Sequence, residues 1–139
     1  MIKKRKEKKH GVSYWKIKAW DEFSIFIRRR DCLKTSGDPT HGFCFTCGAH
    51  CPFKTFQAGH FIPGRHPSYL FDEVGCHIQC FRCNINLKGN WPKYYEAMLK
   101  EYGQEVVDSY QKKKWESKQF KAVELEEIYN KYKALNGKQ

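Results

Sequence analysis

The chain has 139 residues, with 26 Lys or Arg against 15 Asp or Glu, for a formal charge of +11. That length supports one compact domain with a modest core, and no run approaches the roughly 20 apolar residues that span a membrane. The opening residues carry no apolar signal region, so a soluble, cytoplasmic protein is expected, and the surplus of positive charge points first to nucleic acid as partner.

Lys3, Lys4, Arg5, Lys6, Lys8 and Lys9 form a like-charge block. Residues 1–12 therefore read as a flexible basic arm, with a merely solubilising tail as the alternative. Between Tyr14 and Asp31 the apolar residues Trp20, Phe23 and Ile27 recur at helical spacing, and Ser36-Gly37-Asp38-Pro39 ends the pattern. Arg28, Arg29 and Arg30 fall near the end of this helix, where cations are favourable against its dipole.

Two Cys-x-x-Cys elements follow, Cys44 with Cys47 and Cys80 with Cys83. Four thiolates on two tight turns satisfy Zn²⁺ at tetrahedral geometry and leave no position for water, so the site is read as structural. Cys51 or His50 is the alternative to one of the four. Cys32, Cys51 and Cys76 otherwise read as small buried hydrophobes in a reducing compartment.

Between the knuckles, Phe53 to Phe61 and Gly75 to Gln79 read as two short strands separated by a loop rich in Gly, Pro and His. Asn84 to Leu87 reads as the start of a short helix. Asn90 is placed as the cap of a further helix whose Tyr95, Met98, Leu99 and Tyr102 form a core stripe closed by Gly103. Two more helical stretches follow. The last carries Leu125, Ile128, Tyr129 and Tyr132 on one face, behind the basic run Lys112, Lys113 and Lys114. The fold class is α+β.

A histidine closing a strand, a second strand, and an asparagine opening a helix, all held by four cysteines, resemble the zinc-containing HNH endonucleases with their ββα-metal core. More narrowly, the chain is similar to the phage NinG (Rap) recombination nuclease family. The match runs from Phe23-x-x-Phe26-Ile27-Arg28-x-Arg30-Asp31 through Cys44-x-x-Cys47-Gly48 and Ala58-Gly59-His60 to His77-x-Gln79-Cys80-x-x-Cys83-Asn84 and Gly89-Asn90. The resemblance implies a zinc-stapled HNH-like nuclease domain with its N-terminal helix over residues 13–105, and a helical C-terminal extension over 106–139. It implies a metal-dependent endonuclease acting on branched or recombination-intermediate DNA, in the host cytoplasm, with a homodimer compatible with that task.

The chemistry asks for the same residues. Phosphodiester hydrolysis needs a base for water, a cation for the phosphoryl charge, and groups that position the strand. His60 is the candidate base, since histidine titrates near neutrality. Asn84 offers an amide oxygen to Mg²⁺ or Mn²⁺, or alternatively caps its helix. His77 is a candidate for orienting a phosphate or completing the metal shell, or else a satisfied core histidine. Arg28, Arg30, Arg65, His66 and Lys88 are candidate DNA contacts.

Two positions depart from the HNH pattern. Gly59 stands where many such enzymes place a metal-binding Asp, and Gly75 stands at the Asn that braces the loop, with Asp72 the candidate to replace it. Those departures make a catalytically decayed, zinc-stapled DNA-binding module the alternative function. A protein-interaction domain using its aromatic surface is a third, because 16% of residues are Phe, Trp or Tyr, though core packing accounts for most of these.

Overall fold

Val12–Ser36 forms a long helix, α1, and the computed structural model describes residues 9–137 in all. Of the basic arm, Lys3, Lys4, Arg5, Lys6 and Lys8 lie outside the described residues. Ala19, Phe23 and Ile27 are buried one turn apart along α1, as an inward stripe requires. The helix ends where Gly37 N–H donates to Leu33 O at 2.8 Å.

Strands β1 (His41–Phe43) and β2 (His50–Pro52) form an antiparallel hairpin, and β3 (Gln57–His60) and β4 (Cys76–Gln79) form a second antiparallel pair. Helices α2 (Trp91–Tyr102), α3 (Gln104–Lys113) and α4 (Ala122–Gly137) complete the mixed α+β architecture. No described helix is long and apolar enough to cross a membrane.

Several expected elements are redrawn. The β1–β2 hairpin has no alternating pattern to announce it. It forms because the knuckle turn folds the chain back, with Gly48 N–H to Cys44 O and Cys44 N–H to Ala49 O, both 2.9 Å. The expected strand from Phe53 begins only at Gln57, because Phe53–Thr55 is a single 3-10 turn after Pro52. The short helix occupies Arg82–Asn86 as a π-helical turn, so Asn84 lies inside it rather than at its start. Asn90 does precede α2, yet its side chain makes no cap. Its Nδ2 instead donates to Cys83 Sγ at 3.4 Å. On α2 the fully buried residues are Tyr94 and Met98, while Tyr95, Leu99 and Tyr102 are half-buried, so the inward face is rotated toward Tyr94.

The sheet packs between α1 and the C-terminal helices. Phe23, Ile27, Ala58, Cys76 and Tyr132 form one core cluster, and Phe61, Tyr94, Met98, Val107 and Tyr110 belong to another. Helix α4 lies along α1, where Asn136 Nδ2 donates to Glu22 O and Arg29 Nη1 donates to Asn136 O, both at 2.8 Å. Cys32 and Cys76 are wholly buried, as small hydrophobes would be.

All four residues of β4 are buried, and only one of its edges pairs with a strand. Helix α1 completes the other edge. Asp31 Oδ2 accepts from Ile78 N–H at 2.9 Å, and its Oδ1 accepts from Arg30 Nε at 2.8 Å. Arg30 also donates to Glu73 O (2.7 Å) and Cys76 O (2.8 Å). Arg30, expected at DNA, is therefore a structural residue: its donors are consumed by the sheet edge. Removing Asp31 leaves Ile78 N–H without its acceptor and the half-buried Arg30 guanidinium without its counter-charge. Asp31→Ala should cost about 3 kcal/mol, read as a lower urea midpoint with zinc content unchanged.

Candidate functional site

The four knuckle cysteines converge, with their Sγ atoms all within 4.8 Å of one another. Cys47 Sγ and Cys80 Sγ are 3.7 Å apart, close to the edge of about 3.8 Å expected for a tetrahedron of Zn–S bonds about 2.3 Å long. Cys80 N–H points at Cys44 Sγ (3.3 Å) and Cys83 N–H at Cys80 Sγ (3.5 Å), while Asn90 Nδ2 serves Cys83. Such donors stabilise thiolate charge and orient the ligands. These residues fit a metal such as zinc, and four thiolates would leave it no open position, so it would supply folding energy rather than chemistry. His50 and Cys51 take no part. His50 Nε2 lies 3.0 Å from His41 Nδ1, and Cys51 packs as a half-buried hydrophobe.

Beside this clamp lies a cleft of about 650 Å³. Arg28, His60, Arg65, Asn84 and Lys88 all line it, so five of the candidate residues meet on one surface. His60 ends β3, and its Nε2 lies 3.0 Å from Leu70 O. A carbonyl can only accept, so that nitrogen carries the proton. Nδ1 has no protein partner among the described residues and is open to the cleft. Burial, opposed by the Leu70 bond and reinforced by Arg65, lowers the His60 pKa and keeps the ring neutral at neutral pH.

Trp20 forms the opposite wall. Its ring stacks on His60 with centroids 5.2 Å apart, and the Arg65 guanidinium sits 4.4 Å from its centre on the way to solvent. Lys16, Trp20, Ser24 and Arg28, each one turn apart on α1, share this side, and a second groove of about 520 Å³ continues past Lys16, Ile17 and Gly64. Helical periodicity groups Trp20 with Phe23 and Ile27 and does not by itself distinguish a cleft wall from the core. The polar spacing of Lys16, Ser24 and Arg28 around it was the signal for a cleft face.

Arg65 and Lys88 hold left-handed backbone, with φ of 51° and 50°. Non-glycine residues in that region carry strain of about 1 kcal/mol, and such strain concentrates at functional positions. Arg28 packs its guanidinium 4.5 Å over the Phe53 ring, which leaves it aimed along the cleft wall.

His77 and His66 lie elsewhere. In the β3–β4 register His60 faces Cys76 while Gly59 faces His77, so the two histidines project from opposite faces of the sheet. His77 is buried, stacks on Phe45 at 3.9 Å and lies 2.7 Å from Tyr102 Oη. Burial first, then Arg30 and Lys34, push its pKa down to about 2. It cannot touch a phosphate in the cleft. His66 Nδ1 accepts from Ser68 N–H at 3.1 Å within its own loop and does not line the cleft.

The two glycines that depart from the HNH pattern are both filled from outside. A Cβ on Gly75 would stand 2.7 Å from Tyr110 Cε1. Tyr110 donates instead to Asp72 Oδ2 (2.9 Å), and Asp72 Oδ1 accepts from Val74 N–H at 3.0 Å and Gly75 N–H at 3.4 Å. Asp72 thus braces the loop before β4. A Cβ on Gly59 would stand 1.9 Å from Gln79 Oε1 and 3.0 Å from Asn84 Oδ1, so no side chain fits there beside Gln79.

Comparison with known families matches residues 1–138 to the family described as Bacteriophage Lambda NinG protein. The chain belongs to that family. No curated protein and no solved structure matches it. NinG membership gives the chain a phage recombination context, and the match spans the cleft, the clamp and the helices around them.

Two outcomes follow from this geometry. Zinc binding of this kind supplies on the order of 10 kcal/mol of folding free energy. Chelation of the metal, or Cys80→Ser, should therefore unfold the residues around the knuckles, seen as lost near-UV dichroism; full retention of structure in the metal-free chain would contradict the clamp. For His77 the sign is set by its depressed pKa. The unfolded chain takes up a proton near pH 6.5 and the folded chain only near 2. Stability present above pH 6.5 is accordingly lost as pH falls, by at most about 1.4 kcal/mol per pH unit for this group. Urea unfolding of wild type and His77→Gln at about pH 7 and about pH 5.5 should show a shallower pH dependence in the variant.

Proposed function

We propose that this NinG-family protein is an endonuclease of the zinc-containing HNH class that hydrolyses phosphodiester bonds in branched or recombination-intermediate DNA. The observation that carries this reading is the state of His60. Its Nε2–H is committed to Leu70 O, its Nδ1 has no partner among the described residues in a cleft walled by Arg28, Arg65 and Lys88, and burial keeps it neutral. That is the arrangement a general base needs.

His60 Nδ1 takes a proton from water, whose oxygen bonds to phosphorus as the bond to the 3′ oxygen breaks. A divalent cation, Mg²⁺ or Mn²⁺, held at Asn84 would neutralise charge on the phosphoryl and leaving oxygens. Arg65 and Lys88 hold the phosphates on either side of the scissile bond, and Arg28 with Lys16 continues the track along α1. Trp20 keeps water from the outer face of the His60 ring. Recognition of a branch requires basic surfaces beyond one cleft, which a homodimer in the host cytoplasm would supply.

His60→Ala should lower cleavage of a labelled four-way junction or flap by about 10²- to 10⁴-fold while DNA binding and zinc content persist. Because the active form is neutral and its pKa lies below 6.5, wild-type cleavage should hold its rate below pH 6.5 and fall only in more acid buffer. Salt-sensitive DNA binding with no nicking of any junction, flap or duplex in any divalent metal would instead identify a decayed binding module.

A further inference from the structure

We propose that Gln79 is the second protein ligand of the divalent cation, its Oε1 acting together with Asn84 Oδ1 beside Gly59. This deepens the nuclease reading and rests on it for the ion's role. Gln79 is wholly buried. Its Nε2 donates to Gly89 O at 2.9 Å and to Thr46 Oγ1 at 3.2 Å. Since the Gly89 carbonyl can only accept, the amide orientation is fixed and Oε1 is the remaining end. That oxygen is buried and has no hydrogen-bond partner among the described residues, a condition proteins rarely tolerate without a reason.

Its direction supplies the reason. Oε1 lies 1.9 Å, and Asn84 Oδ1 3.0 Å, from the point a Cβ on residue 59 would occupy. The other end of Asn84 is committed, with Nδ2 donating to Gln57 Oε1 at 2.5 Å. Two amide oxygens, one from β4 and one from the helical turn after the second knuckle, thus converge next to the backbone that leads into His60. Both are hard, neutral donors of the kind Mg²⁺ and Mn²⁺ accept. A Cα–H contact from Gly59 would be a weak substitute for such a partner.

Gly59 and Gln79 are then one feature. Where the HNH pattern sets an acidic side chain just before the histidine, this chain removes the side chain and delivers an oxygen from the neighbouring strand. The zinc knuckle holds it there, because Thr46 lies between Cys44 and Cys47. Two neutral ligands bind a divalent ion weakly, which fits an ion shared with the DNA phosphate.

The test is Mn²⁺ titration of the zinc-loaded full chain, without DNA, followed by the electron paramagnetic resonance of free Mn²⁺. Wild type should bind one Mn²⁺, and Gln79→Met should weaken it about tenfold with zinc content unchanged, since the two side chains have similar size. Asn84→Asp, which adds a charge while Gln57 can turn its amide to donate, should tighten binding about tenfold. Should Gln79→Met lose zinc or fold, Gly59→Ala carries the test, because its methyl displaces Oε1 and should weaken Mn²⁺ equally. Wild-type Mn²⁺ affinity in folded Gln79→Met or Gly59→Ala, or no Mn²⁺ binding by wild type and Asn84→Asp, overturns the proposal. Mn²⁺ binding as described, with no cleavage of any DNA, overturns the nuclease reading alone.

Discussion

A two-stranded sheet has two edges, and here one of them is buried. Strand β4 is covered on both faces, so every backbone group on its unpaired side must find a partner inside the protein. Ile78 N–H finds Asp31, Ile78 O receives Phe45 N–H at 2.9 Å, and Cys76 O receives Arg30. Helix α1 and the first knuckle therefore act as the missing strand. This requirement fixes where α1 lies against the sheet, and α1 carries Trp20 and Arg28, so one wall of the cleft is set by the hydrogen-bonding needs of a strand that does not face it.

The metal clamp fixes the other wall. Phe45 reaches β4 because Cys44 and Cys47 are held to Cys80 and Cys83, and the turn holding Asn84 begins at the second knuckle. Strands of three and four residues in two-stranded pairs are marginal by themselves and need a further tie to hold their register. The same four sulfurs therefore impose the β1–β2 hairpin, the pairing of β4 with the first knuckle, and the place of Asn84 relative to His60. Any chemistry in the cleft would depend on a metal at this clamp in that indirect sense.

Much of this was legible from residue types and spacing, and the misses share one cause. The knuckles, α1, the strand order around His60 and the helices after Asn90 follow from patterns with a local origin: ligand spacing, helical period, a closing glycine. The β1–β2 hairpin, the half-buried Arg30 and the cleft face of Trp20 do not. Each depends on contacts between segments far apart in sequence, and periodicity groups Trp20 with Phe23 and Ile27 because it shares their apolar character. Asn90 failed as a cap for the same reason, since a sulfur across the knuckle outcompetes its own helix. Gly59 and Gly75 looked like deletions of needed groups. Their neighbours Gln79, Tyr110 and Asp72 occupy the emptied space, and no linear pattern states that.

His77 shows how a residue can matter to a site it does not enter. Tyr94 Oη donates to Gly59 O at 2.7 Å, so its oxygen is left to accept, and His77 Nδ1 is the nitrogen facing it at 3.4 Å. If Nδ1 carries the proton, Nε2 is bare and accepts from Tyr102 at 2.7 Å. The resulting chain runs from α2 through His77 and Tyr94 to the carbonyl of the residue before His60. His77 is neutral in this chain, because its burial first and then Arg30 and Lys34 disfavour the charged ring. Protonating Nε2 would turn the Tyr102 hydroxyl from donor to acceptor and place a charge among buried aromatic rings, at the cost of desolvating it. One histidine is thus kept neutral with a nitrogen open to the cleft, and the other is kept neutral with none, in a chain of hydrogen bonds that holds the backbone carrying the first where Gln79 and Asn84 can meet it.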